Sequence, residues 1–197
     1  ISNNFYSSQN AFEMITQAGY NSIGMDHFSK PSDQFSVAQL QRKLHRNFQG
    51  YCTMETTGQV YGFGASSISQ LYSSYSQNEK NAAKYIKTIK SKKIPVIRGY
   101  FLNDNEKIIR DIINQVMCNF YVDLNKVAIM HNQSIEYVIN IISFSKEKFK
   151  DFINDGIMEI DGYKIKVFDM GRIVIRNIAM RFDPLMVKTT NSYSKTI

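Results

Sequence analysis

Residues 24–69 read GMDHFSKPSDQFSVAQLQRKLHRNFQGYCTMETTGQVYGFGASSIS, and how this stretch folds decides the architecture of the chain. The run just before and into it, 21–26, is short and apolar between turn signals, which predicts a buried strand ending at Asp26 and His27. Pro31 and Ser32 open a helix with Phe35, Ala38, Leu40 and Leu44 on its apolar side; it is expected to run to about Asn47 and stop at Gly50. Residues 51–59 are polar and turn-like, and 60–64 predicts a short strand in which Gly62 and Gly64 allow close backbone approach. Upstream, 8–18 predicts a helix with Phe12, Ile15 and Ala18 on one stripe, capped by Ser7 or Ser8 and ended by Gly19. A helix leading straight into a strand predicts α/β architecture, the closing βα units of a barrel whose chemistry sits at the C-terminal strand ends. Asp26 and His27 would then lie at that rim.

A carboxylate beside an imidazole can act as a general base with its orienter, or as a proton-donating acid. Asp26 can equally cap the following turn while His27 makes ordinary hydrogen bonds. His45 follows Leu44 near the expected helix end, where an imidazole can meet terminal carbonyls. The loop after Gly62 and Gly64 could bring backbone groups up to a flat ligand. GFG is no dinucleotide fingerprint, since it lacks the third glycine and the acidic residue at the required distance; by itself it reads as a tight strand-to-loop turn.

Further along, Asn78 is expected to cap a helix through Lys90 that buries Ala82, Tyr85, Ile86 and Ile89. Pro95 precedes an expected edge strand at 96–101. A domain boundary is expected near Phe101, dividing 1–101 from 102–197. Asn103 and Glu106 form a capping box for a helix to about Phe120, and Cys118 within it reads as core. Helices are expected at 124–131, 134–142 and, from Ser145 to Gly156, at the next segment; Asp161-Gly162 between two apolar runs signals a β-hairpin. A last helix is expected at 170–181. Helices followed by a hairpin describe a mainly helical, winged-helix-like module, which raises the question of DNA binding. In the would-be recognition helix KEKFKDFIND, the lysines alternate with Glu147, Asp151 and Asp155. The clustered basic footprint that nucleic acid requires is missing, so no nucleic-acid partner is expected.

At 197 residues the chain can bury a real core, and no apolar run approaches the ~18–20 residues of a membrane span, so no membrane partner is expected. Its two cysteines, Cys52 and Cys118, form no disulfide framework, which suits a reducing, cytoplasmic setting. The net charge of +7 is uneven: residues 1–101 hold 11 Lys and Arg against 5 Asp and Glu, whereas 102–197 hold 13 against 12. A basic half suits an anionic ligand or nucleic acid. The lysines at 80, 84, 87, 90, 92 and 93 supply most of the excess, however, and such a run is ordinarily a solvated helix face.

The segments GMDHF (24–28), HRNFQGY (45–51) and GFGASSIS (62–69) resemble the later part of oxygen-independent coproporphyrinogen III oxidase, a radical S-adenosylmethionine (SAM) family, and the resemblance extends from about Phe12 to Asp183. It implies that residues 1–101 are the C-terminal part of a radical-SAM barrel and that 102–197 pack over the substrate opening. It also implies two SAM molecules, with Phe48, Gln49 and Ile68 lining their pocket, and a [4Fe-4S] cluster held by three closely spaced cysteines. Two cysteines sixty-six positions apart cannot supply that cluster. The cluster ligands are therefore expected upstream, no metal site is expected here, and the chain is read as an inactive C-terminal fragment of an active parent. The implied chemistry begins with reductive cleavage of SAM to a 5′-deoxyadenosyl radical. That radical removes a hydrogen from a propionate β-carbon of coproporphyrinogen III, and loss of CO₂ and an electron leaves a vinyl group on the way to protoporphyrinogen IX. The resemblance further implies an electron donor and acceptor, and a monomer. A haem chaperone, a haem-modifying radical enzyme, or an interaction module without chemistry are the competing readings.

Overall fold

The computed structural model describes residues 2–48, 50–54 and 59–186, with side chains described from Asn10 onward. A first helix, α1 (Ser2–Gln17), leads into β1 (Asn21–Gly24), which turns at once into β2 (His27–Ser29). Helix α2 (Gln34–Leu40) follows, capped by Asp33, whose carboxylate accepts from the Phe35 N–H. Then come β3 (Leu44–Asn47), β4 (Gly50–Thr53), β5 (Ile68–Gln70), β6 (Ser74–Asn78), α3 (Ala82–Lys90) and β7 (Val96–Phe101). The rest comprises α4 (Asp104–Asn119), β8 (Tyr121–Asp123), α5 (Leu124–Met130), α6 (Ile135–Ile141), α7 (Lys150–Asn154), β9 (Met158–Asp161), β10 (Lys164–Val167) and α8 (Ile175–Met180). Short 3₁₀ turns at Lys146–Phe149 and Asp169–Arg172 lead into α7 and α8.

The fold mixes helix and strand, as expected, but the parallel βα units expected before residue 101 do not occur among the described residues. Every pairing is antiparallel: β1–β2, β3–β4, the sheet β5-β6-β7, and the sheet β8-β10-β9. Connection length is the reason. Met25 and Asp26 alone join β1 to β2, and a parallel pair needs a crossover of about a dozen residues or more.

HRNFQGY is consequently a hairpin and not the end of a helix. Helix α2 stops at Leu40 because Arg42 takes a left-handed backbone (φ 57°). The Arg42 N–H then donates to the Gln39 carbonyl (2.9 Å) and the Lys43 N–H to the Ala38 carbonyl (2.7 Å), a Schellman closure without its usual glycine. His45 accordingly lies in β3, paired opposite Cys52, and not at a helix end. The strand expected at 60–64 reduces to a single bridge between Val60 and Gln70.

Asn78 does not cap α3. It is buried in β6 and donates to the Gly62 and Gly64 carbonyls (3.0 and 3.1 Å), fixing the GFG loop, while Asn81 caps the helix. A Cβ on Gly62 would run into the backbone of Ile68, so the loop needs glycine there. No residue of α3 is buried; Ile86 and Ile89 stay about half exposed, and its lysines are solvated.

Helix α4 opens with the expected capping box, and it joins two cores. The larger core packs Ile108, Ile112 and Val116 against Val122, Leu124, Val138, Phe149, Ile165, Ile178 and Phe182. The smaller contains Ile23, Ala38, Leu44, Tyr51 and Cys118, with Phe35 and Met117 packed on it. Two side-chain amides tie the strands to the helix. Asn119 accepts from the Leu44 N–H (3.2 Å) and donates to the Leu44 carbonyl (3.1 Å), and Gln39 donates to the Cys118 carbonyl (2.9 Å).

Candidate functional site

The β3–β4 hairpin projects Arg46, Asn47 and Phe48 into a cleft of about 650 Å³, whose other walls are β5, β6, β7, the first half of α4, and Asp183 and Leu185. Phe48 is largely exposed and meets Tyr75 edge to face, with ring centroids 5.4 Å apart. Tyr100 forms a third aromatic face. Its hydroxyl donates to Glu106, the residue that also closes the α4 cap, and this bond pushes the phenol above its ordinary range. Gln70 is buried at the cleft wall. Arg46 and Arg110 bring positive charge; Arg110 is held by Asp111 (3.3 Å) and by donation to the Tyr72 carbonyl (3.0 Å). Aromatic faces with two guanidiniums form a surface suited to a flat anionic ligand.

The residues singled out in the sequence fall in different places. Phe48 stands in the cleft. Gln49 lies outside the described residues. Ile68 is half-buried on β5, two residues from Gln70 and so on the same strand face, but it is not on the cleft wall itself. Asp26 lies in the turn between β1 and β2 and His27 opens β2, with Asp26 Oδ1 2.8 Å from His27 Nδ1. The hydrogen bond within its own backbone holds the Asp26 carboxyl below its usual range, with His27 and Arg46 acting in the same direction. Ionised at neutral pH, Asp26 would have no proton to give as an acid. His27 in turn lies edge to face with Tyr51, centroids 5.0 Å apart.

Tyr51 shows why the quoted segments belong together. Its ring is buried, its phenol is pushed up to about 12 by burial, and its hydroxyl sits where a side chain on Gly24 would stand. GMDHF and HRNFQGY therefore pack face to face, and Arg46 lies over the same ring (5.3 Å) while its Nη1 donates to Met25 Sδ (3.1 Å). Arg46 connects the cleft to the Asp26–His27 turn. Sequence reasoning passed over Arg46 although it lay inside a quoted segment. Gln70, Tyr75, Tyr100 and Arg110 carried no local signal, because only antiparallel pairing and the α4 cap bring them to the cleft.

The residues present do not fit an iron–sulfur cluster. Neither Cys52 nor Cys118 is in a disulfide; burial pushes the Cys118 thiol up to about 12, and a cluster needs thiolate. Among the described residues no group of three or more His, Cys, Asp or Glu side chains is placed to hold a metal ion. None of the described helices is long and apolar enough to cross a membrane.

No family model matches the chain. Individual relatives do. An oxygen-independent coproporphyrinogen III oxidase of Bradyrhizobium diazoefficiens is 37% identical over 170 residues, 86% of this chain and 36% of the relative. That of Escherichia coli is 36% identical over 175 residues, 89% of this chain and 37% of the relative, and that of Thermostichus vulcanus is 35% identical over 193 residues, 96% and 58%. The solved coproporphyrinogen III oxidase of Escherichia coli, described as a radical SAM enzyme, superposes with a TM-score of 0.81 at 34% identity, covering 90% of this chain and 40% of its own. The chain spans little more than a third of the length of most of these curated relatives. Over nearly nine-tenths of its length, in sequence and in fold, it matches one segment of the oxygen-independent coproporphyrinogen III oxidases.

Proposed function

We propose that this chain forms the substrate-facing C-terminal portion of an oxygen-independent coproporphyrinogen III oxidase, which converts two propionates of coproporphyrinogen III to vinyl groups. The observation that carries the reading is the 37% identity to such an oxidase over 86% of the chain, joined to a cleft with three aromatic faces and two arginines. The macrocycle is flat and carries four carboxylates, which the rings and the guanidiniums respectively complement.

Two SAM molecules would be bound, with Phe48, Gln49 and Ile68 as the residues that line their pocket; SAM supplies the carbon radical that removes hydrogen from substrate. This chain's own part is to bind, orient and exclude water. Phe48, Tyr75 and Tyr100 wall the cleft with ring surface, and Gln70 and Asn47 offer amides for orientation. The cluster ligands lie outside this chain, so the chain alone is inactive.

Residues 102–186 read as a winged-helix-like module with β9–β10 as its wing, following a portion that ends near 101. Two of its lysines are paired with nearby carboxylates, Lys166 with Glu159 (3.7 Å) and Lys150 with Glu147 (3.2 Å), which favours packing over nucleic-acid binding. A monomeric, cytoplasmic enzyme with a separate electron donor and acceptor completes the proposal.

The test is a chimera in which this chain replaces the matching segment of the Escherichia coli enzyme. After anaerobic purification it should form protoporphyrinogen IX from coproporphyrinogen III, and Phe48→Ala in the chimera should cut turnover at least tenfold. A chimera that holds its cluster and binds SAM yet leaves the propionates intact would refute the assignment.

A further inference from the structure

At the turn between β1 and β2, Met25 holds a left-handed backbone (φ 51°) that residues other than glycine and asparagine seldom adopt. Its sulfur receives two guanidiniums: Arg46 Nη1 from β3 and Arg176 Nε from α8, each at 3.1 Å. Two nitrogens sharing one atom at that distance lie no more than about 6 Å apart. Two positive charges thus converge on a thioether, which is a weak and uncharged acceptor. Neither arginine forms an ion pair among the described residues. The nearest carboxylate in sequence, Asp26, is engaged with the His27 ring (2.8 Å). Arg46 lines the cleft, and Arg176, outside its wall, is exposed and reaches the same sulfur, so the pair sits at the edge of the cleft.

We propose that Arg46 and Arg176 form a clamp for a carboxylate at the edge of the cleft, with Met25 as its neutral placeholder. A planar carboxylate satisfies two guanidiniums through charge-assisted hydrogen bonds, which a thioether cannot match. The inference rests on the proposed function for the identity of the ligand, a propionate arm of the macrocycle, but its geometry stands apart from that reading. Strained backbone at Met25 and the convergence of β1, β3 and α8 on one atom give the clamp its shape. As residues that would touch substrate, the two arginines would select a macrocycle that bears a carboxylate at that position.

The experiment uses this chain with two probes. Fluorescence titration with coproporphyrin III, the air-stable oxidised macrocycle, is compared with its tetramethyl ester, and the Nε–H signals of Arg46 and Arg176 are followed by NMR as sodium propionate is added. Expected are binding of the free acid at least tenfold tighter than the ester, a similar loss in Arg46→Gln and in Arg176→Gln with melting temperature unchanged for the latter, and propionate-induced shifts of both arginine signals. Shifts without coproporphyrin binding would keep the clamp and remove the macrocycle reading. Coproporphyrin binding that Arg176→Gln leaves within twofold of wild type, or propionate shifts absent from both arginines, would overturn the clamp.

Discussion

Gly24→Ala probes the contact that joins the two most telling sequence segments. Gly24 sits at φ +149°, a region that side chains rarely enter, and its missing Cβ is the space occupied by the Tyr51 hydroxyl. Backbone strain of this kind costs on the order of 1–3 kcal/mol, and overpacking a buried contact costs a further ~1–3 kcal/mol. The substitution should therefore lower unfolding free energy by about 2–6 kcal/mol, a large share of a domain's net stability. Tyr51→Phe separates the two parts. The hydroxyl is buried and makes no hydrogen bond of ordinary geometry, so its removal should be neutral or stabilising. Combined with Tyr51→Phe, Gly24→Ala should lose most of the steric part and keep the backbone part, giving a coupling of about 1–3 kcal/mol. Urea unfolding of the four proteins, read by circular dichroism, measures it. A coupling below ~0.5 kcal/mol would show that the hydroxyl does not exclude a side chain at 24, and the packing of GMDHF on HRNFQGY would need another explanation.

Asn119→Ala removes both amide bonds to the Leu44 backbone and leaves its N–H and C=O without those partners; a loss of ~1–3 kcal/mol in urea unfolding is expected, and an unchanged midpoint would contradict the tie between β3 and α4. For pH, the Cys118 thiol is raised from an ordinary 9.0 to about 12 by burial, so its contribution is fully present below pH 9 and is lost as pH rises toward 12. Stability should start to fall above about pH 9, by no more than ~1.4 kcal/mol per pH unit for one proton, and Cys118→Ala should flatten the curve between pH 9 and 10, before Tyr51 begins to titrate. A pH profile identical in the variant would assign the alkaline loss elsewhere. Anaerobic reconstitution with iron and sulfide should leave the chain colourless; broad absorbance near ~400 nm with four irons per chain would show that it carries cluster ligands after all.

Much of the chain beyond residue 101 was legible in the sequence because its signals are local. The Asn103–Glu106 box, the Asp161-Gly162 turn and the Ile108, Ile112, Val116 stripe depend on residues within a turn or two of each other, and each appears where it was expected. Resemblance carried by GMDHF and HRNFQGY likewise pointed to the oxidases that the comparisons found. In the first hundred residues tertiary partners outweigh local pattern at several points. Phe35, Ala38 and Leu44 do pack together, yet Leu44 reaches that core from a strand, because Arg42 turns left-handed and Asn119, seventy-five positions away, pairs with its backbone. A hydrophobic period alone cannot report such a switch. The cleft is the extreme case: Phe48, Tyr75, Tyr100 and Arg110 come from four elements, and only strand pairing and the start of α4 bring them together. Met25 reads in sequence as one more apolar residue. Two distant arginines meeting on its sulfur are a fact of packing, since β3 and α8 approach it from opposite ends of the chain.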